Sequence, residues 1–135
     1  MRRSKTSLGL LLLTAVGLWY AGHKHSPHVA GDRQLQSDKL AIELRRFRAE
    51  TDRVKRIDAI KRFGKVRDPR VTLALMEVVQ EEKEMSGLLL IASSVLVEHH
   101  IPEEDWVLAK YWVVARLWWE KNETVVRQKA AILPQ

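Results

Sequence analysis

From residue 38 onward the apolar positions of this chain recur every three or four residues. Leu40, Leu44 and Phe47 step by 4 and 3, and Val54, Ile57, Ile60 and Phe63 step by 3. Both spacings place side chains on one face of a helix, and there is almost no strand-like alternation beyond Ser37. Thr51 or Asp52 can cap a new helix, so 38–65 reads as two helices meeting at a tight corner. Gly64 lies near the end of the second. Asp68 and Pro69 open the next, Asp as the cap and Pro in the first helical position, where its missing N–H costs nothing. Val71, Leu75, Val78 and Val79 mark the buried face of that helix, and residues 81–84 (EEKE) form a solvated turn. Residues 85–97 (MSGLLLIASSVLV) are apolar on nearly every side, which predicts a helix covered by its neighbours. Pro102 ends it. Glu103, Glu104 and Asp105 then place negative charge at the start of a fifth helix, where the helix dipole favours it. A sixth helix follows Asn122 and ends at Pro134.

These corners are nearly periodic. Openings near Ser37, Pro69 and Glu103 lie 32 and 34 residues apart, and the returning helices near Asp52, Met85 and Glu123 lie 33 and 38 apart. The expectation is an all-α fold, a short α-solenoid of about three antiparallel helix pairs, in which neighbours cover apolar faces that no pair can bury alone.

Residues 59–71 (AIKRFGKVRDPRV) resemble the HEAT-like repeats of the phycobilisome-lyase type, whose signature is an Ala/Leu helix, a Gly, an Asp-Pro corner and a Leu-rich helix. Residues 122–131 (NETVVRQKAA) are similar to the opening of that family's second helix, with Val126 and Arg127 followed by Ala130 and Ala131. In the middle pair, Met85, Ser86 and Gly87 stand where the pattern has Val-Arg. The resemblance implies protein binding. It implies lyase activity on a bilin only for a small branch of the family, and nothing in this chain singles that branch out.

The N-terminal part has a different pattern. Arg2, Arg3 and Lys5 form a basic head, and Thr6 to Gly22 is an uncharged run of 17 residues ending near Trp19 and Tyr20. As a helix rising ~1.5 Å per residue it would span ~25 Å, the short limit for a bilayer core of ~30 Å. Residues 1–22 are therefore expected to be a signal anchor or signal peptide, placing the chain in the membrane through 6–22. Cation asymmetry favours a cytoplasmic N-terminus with the domain outside; a cleaved chain would be secreted or periplasmic. Residues 23–37 read as a polar tether. His23, His25 and His28 lie in it at a spacing that could ligate a metal, but a flexible tether offers nothing to fix the rings, so no metal site is assigned. The remaining residues, 38–135, form the repeat domain.

Charge is segregated. Residues 39–70 hold 12 Lys/Arg against 5 Asp/Glu, net +7, and residues 77–105 hold 1 against 8, net −7. The basic segment predicts a solvated face or a contact with lipid headgroups through Arg45, Arg46, Arg48, Arg53, Lys55 and Arg56. Its only aromatic residues, Phe47 and Phe63, sit at core spacing, which argues against nucleic acid. The acidic segment suggests pairing with the basic face of a second copy. There is no cysteine, and hence no disulfide framework or thiolate metal site. No nucleophile elbow, phosphate loop or zincin motif occurs. Glu98, His99 and His100 are expected to cap a helix C-terminus, and Ser93 and Ser94 to bond to backbone carbonyls.

The aromatic run 106–119 (WVLAKYWVVARLWW) holds only two polar residues, Lys110 and Arg116. It reads either as a central buried helix or as a partner-binding face. Trp112, Arg116 and Trp119 would share that face, with the guanidinium across the indoles, and Trp118 and Tyr111 would lie beside it. The function expected is a membrane-tethered protein–protein interaction adaptor with no cofactor and no catalysis of its own, binding a protein partner. The alternatives are an enzyme or enzyme subunit of the lyase type, or a secreted binding module.

Overall fold

The computed structural model describes residues 27–135, with side chains from residue 31; the expected anchor, the membrane segment 6–22, and His23 and His25 lie outside the described residues. The described residues form five α-helices and no strand: α1 (Pro27–Ala49), α2 (Arg53–Phe63), α3 (Pro69–Glu81), α4 (Gly87–His99) and α5 (Tyr111–Ala131), with one 3-10 turn at Glu103–Asp105. The fold is all-α. The chain divides into two compact units, one reaching to Gln36 and one comprising Ser37–Gln135.

Within the stretch expected to be a polar tether, residues 27–37 are helical and belong to α1, which begins at a proline in the position that tolerates it. The Asp52 corner is present. The Asp52 carboxylate accepts from the Lys55 amide at 3.0 Å, and the Glu50 carboxylate accepts from the Asp52 amide at 3.0 Å. Capping α2 afresh in this way ends α1 at Ala49. The Asp68–Pro69 corner also forms as its residues dictate, with Asp68 accepting from the Arg70 amide. Gly64 precedes it for a steric reason: a Cβ there would meet Val95 Cγ1 of α4 at 2.9 Å. Ser86 caps α4, accepting from the Leu89 amide and donating to Glu82.

The core lies within the second unit. α3 packs on α4 and α5, α4 packs on α5, and α2 packs on α4. α3 is therefore enclosed on most sides, burying Ala74, Thr72 and Met76 as well as Val71, Leu75, Val78 and Val79. α4 buries Leu88, Leu89, Ala92, Val95, Leu96 and Val97, as its nearly uniform apolar character predicts. Phe47 of α1 meets Phe63 of α2 edge-on with ring centres 5.2 Å apart. Each fully buried side chain of this size contributes about 1.5–3 kcal/mol, so the core outweighs any surface ion pair.

The third helix pair does not form. Residues 106–110 are not helical, and α5 runs unbroken through Asn122, where a break was expected. The Asn122 side-chain amide donates to the Trp118 carbonyl four residues back at 2.8 Å instead of turning to cap a new start. Glu123 and Arg127 pair at 2.9 Å along the same helix. With no Gly or Pro between Tyr111 and Ala131, continuing the helix leaves fewer backbone groups unsatisfied than breaking it.

Candidate partner-binding surface

The segment between α4 and α5 carries the most exposed apolar side chain in the second unit, Leu108, beside two other exposed ones, Trp106 and Val107. Pro102 stops α4 and the 3-10 turn follows. The Trp106 indole N–H then donates to the Ile101 carbonyl at 3.1 Å, holding the outgoing chain against the end of α4. From there the backbone runs to Lys110, tightened by the Ala109 amide donating to the Val107 carbonyl at 2.8 Å. The Lys110 carbonyl accepts the first bonds of α5. Trp106 is 43% exposed, Val107 50% and Tyr111 46%, and Leu108 is fully exposed.

The expected site residues are distributed otherwise than the spacing implied. Trp119 is 3% exposed and belongs to the core, on the face of α5 that also buries Ala115, Val126 and Ala130. Its indole N–H is buried without a hydrogen-bond partner among the described residues. Trp112 and Trp118 are half-buried against the core, and Tyr111 is exposed. Arg116 does not lie across the indoles. It donates to the Val79 carbonyl at 3.0 Å and the Glu82 carbonyl at 3.3 Å, so a cation from α5 satisfies the C-terminus of α3, which has no basic residue in its own last turn. The cations over the rings are Lys110, 5.2 Å from the Trp112 centre, and Arg127, 5.6 Å from Trp119.

Beside the exposed segment lies a groove of about 480 Å³. Trp106, Trp118, Thr72, His99, His100 and Lys129 are among the residues that line it. His100 is the C-cap of α4, but its ring does not turn back on that helix. Nε2 bonds to the Gly64 carbonyl, and Nδ1 lies 2.8 Å from the Thr72 hydroxyl, tying the end of α4 to the corner between α2 and α3. Burial holds the imidazole below its ordinary value, aided by the charges of His99 and Arg67 and opposed by the Gly64 bond and Asp68. In the neutral form Nε2–H donates to Gly64 and Nδ1 accepts from Thr72, which leaves no free lone pair for general-base chemistry. The Ser93 hydroxyl donates to the Leu89 carbonyl at 2.7 Å and that of Ser94 to the Ile91 carbonyl at 3.1 Å. No group of three or more His, Cys, Asp or Glu placed to hold a metal occurs among the described residues.

The six cations expected at a lipid surface separate into two sets. Arg48 pairs with Glu77 at 3.0 Å, Arg53 with Glu82 at 3.5 Å and Arg56 with Glu81 at 3.7 Å. Arg56 also lies over the Phe47 ring at 4.9 Å and is largely covered. Three of the eight carboxylates of the acidic segment thus meet the basic segment of their own chain. Arg45, Arg46 and Lys55 are exposed and form no ion pair among the described residues.

Arg70, which the sequence offers only as one cation among many, is 2% exposed. Its guanidinium grips both Asp68 oxygens at 3.0 and 2.9 Å and donates to the Ser37 carbonyl, the Ser37 hydroxyl and the Pro134 carbonyl. The one signal that could have marked it is its position two residues after the Asp68 cap. The exposed segment had a clearer signal: a helix-stopping proline, three acids, then apolar residues without a capping side chain. Comparison of the sequence and fold with protein-family models, curated proteins and solved structures finds no match.

Proposed function

We propose that this protein is a membrane-tethered adaptor that binds a protein partner through the exposed segment 106–111 and has no catalytic activity of its own. The observation that carries the reading is the row Trp106, Val107, Leu108 and Tyr111, apolar and uncovered, beside a groove that two indoles help line. Contiguous apolar surface of this kind marks interaction sites, and Trp and Tyr dominate binding hot spots. The tether rests on the uncharged run 6–22 behind a basic head. No helix among the described residues is long and apolar enough to cross a membrane, so that run is the segment to test.

The HEAT-like stacking reading has support in two capped corners, at Asp52 and Asp68, and in the packing of α2 on α4 and α3 on α5, each helix meeting the next but one. In this reading α5 is a single long helix closing a stack of two hairpins.

Two measurements test the proposal. Leu108→Ser in the full chain should abolish partner capture from solubilised native membranes with less than about 0.5 kcal/mol change in stability. Trp119→Ala should instead cost about 3–5 kcal/mol, as a core truncation does. Unchanged capture by Leu108→Ser overturns the binding site. Membrane fractionation with N-terminal sequencing tests the tether: a soluble product starting near Asp32 overturns it.

A further inference from the structure

We infer that the partner of the exposed segment is a second copy of this chain, which receives it in the groove between α1 and α2. The inference rests on the adaptor reading and names the occupant of the same site. It follows from removing the charges that the fold already pairs. Glu77, Glu81 and Glu82 are taken by Arg48, Arg56 and Arg53. What remains of the acidic segment near its end is Glu103, Glu104 and Asp105, all exposed and without an ion pair among the described residues, directly preceding Trp106, Val107 and Leu108. The result is an apolar projection with an anionic base.

The groove between α1 and α2 has the complementary form. It encloses about 700 Å³ over Ile42, Phe47 and Ala59, with Lys39, Arg46 and Lys55 exposed around it. Of its three carboxylates, Glu43 is held by Arg62 at 3.3 Å, which leaves Glu50 and Asp58 against three cations, a rim of net positive charge. An apolar floor with a cationic rim matches an apolar projection with an anionic base, and opposite charges facing each other fix register and speed encounter. Projection and groove lie on different elements of one chain. The contact either is reciprocal and closes as a two-fold dimer or repeats head to tail into a longer assembly.

The test is a charge exchange in the full chain, in detergent, read by sedimentation velocity. Wild type should show a weight-average mass that rises with concentration above that of the monomer and falls at about 1 M salt, where the Debye length is about 3 Å. Glu103→Lys with Glu104→Lys should abolish that rise, as should Lys39→Glu with Lys55→Glu. Mixing the two variant chains should restore it, because each projection then meets a groove of opposite sign. All four positions are exposed, and the restored mixture also shows both variants to be folded. A wild type monomeric at every concentration, or a mixture that stays monomeric, overturns the inference. So does a Lys39→Glu, Lys55→Glu chain that keeps its self-association and loses only binding to anionic vesicles, since the groove would then serve lipid. None of these outcomes touches the adaptor reading, whose binding site falls if Leu108→Ser leaves partner capture intact and whose tether falls if a soluble product starts near Asp32.

Discussion

Arg70 and His100 are two side chains of ordinary surface type that the fold has drawn inward, and each ties together segments distant in sequence. Arg70 joins Ser37, the Asp68 corner and Pro134 through five donated hydrogen bonds. Removing it leaves Asp68 and two backbone carbonyls without their partner. Arg70→Ala should therefore lower the unfolding free energy in urea by about 3 kcal/mol or more, and Arg70→Lys should recover little, because one ammonium cannot reproduce the guanidinium fork. His100 acts through its protonation state. Its folded value lies below the unfolded one, chiefly because it is buried, so the unfolded chain binds the proton first as pH falls. The stability it contributes is whole above the ordinary histidine value of about 6.5 and is lost as pH falls through the folded value. The urea midpoint should drop as pH falls below about 6.5. His100→Gln, which keeps hydrogen-bonding capacity without a titrating ring, should flatten that part of the profile.

At the scale of the element, α5 shows how a break signal is overridden. Asn122 is a good capping residue by type, but it half-buries itself inside a helix and bonds to Trp118 four residues back. Were it a cap, Asn122→Ala would cost about 1 kcal/mol. As a mid-helix residue its replacement by alanine trades one hydrogen bond for better helix propensity, so thermal unfolding should change by no more than about 0.5 kcal/mol. The Asp52 corner is the contrasting case. There both the carboxylate of Asp52 and that of Glu50 find backbone amides, and the chain does turn.

Across the second unit, charge arrangement separates residues that hold the fold from residues that face outward. Glu81 and Glu82 meet arginines of α2, whereas Glu103 and Glu104 meet none among the described residues. Reversing Glu81 and Glu82 to Lys sets like charges against Arg53 and Arg56 and removes the Ser86–Glu82 bond, so it should cost about 1–2 kcal/mol in urea unfolding. Reversing Glu103 and Glu104 should leave stability within about 0.5 kcal/mol of wild type. Equal losses from the two pairs would show that the ion pairs do not discriminate.

Local rules made most of the second unit legible. The Asp52 and Asp68 corners, the buried faces of α3 and α4 and the stop at Pro102 each rest on residues within a few positions of one another, where periodicity, capping and proline stereochemistry act directly. The site was less legible because exposure is not a local property. Trp112, Trp118 and Trp119 are chemically alike and adjacent on one helix, and only the position of α5 against α3 and α4 decides that Trp119 is core while Leu108, outside the helix, is surface. The sequence by itself determined the helices between Asp52 and Pro102 and which of their faces must be hidden, because helix propensity, capping and apolar spacing travel with the chain. Tertiary structure alone decided that Arg116 caps α3, that Arg70 is buried and that three carboxylates of the acidic segment meet the basic segment within one molecule, because each of those contacts joins residues at least 25 positions apart or depends on what covers them.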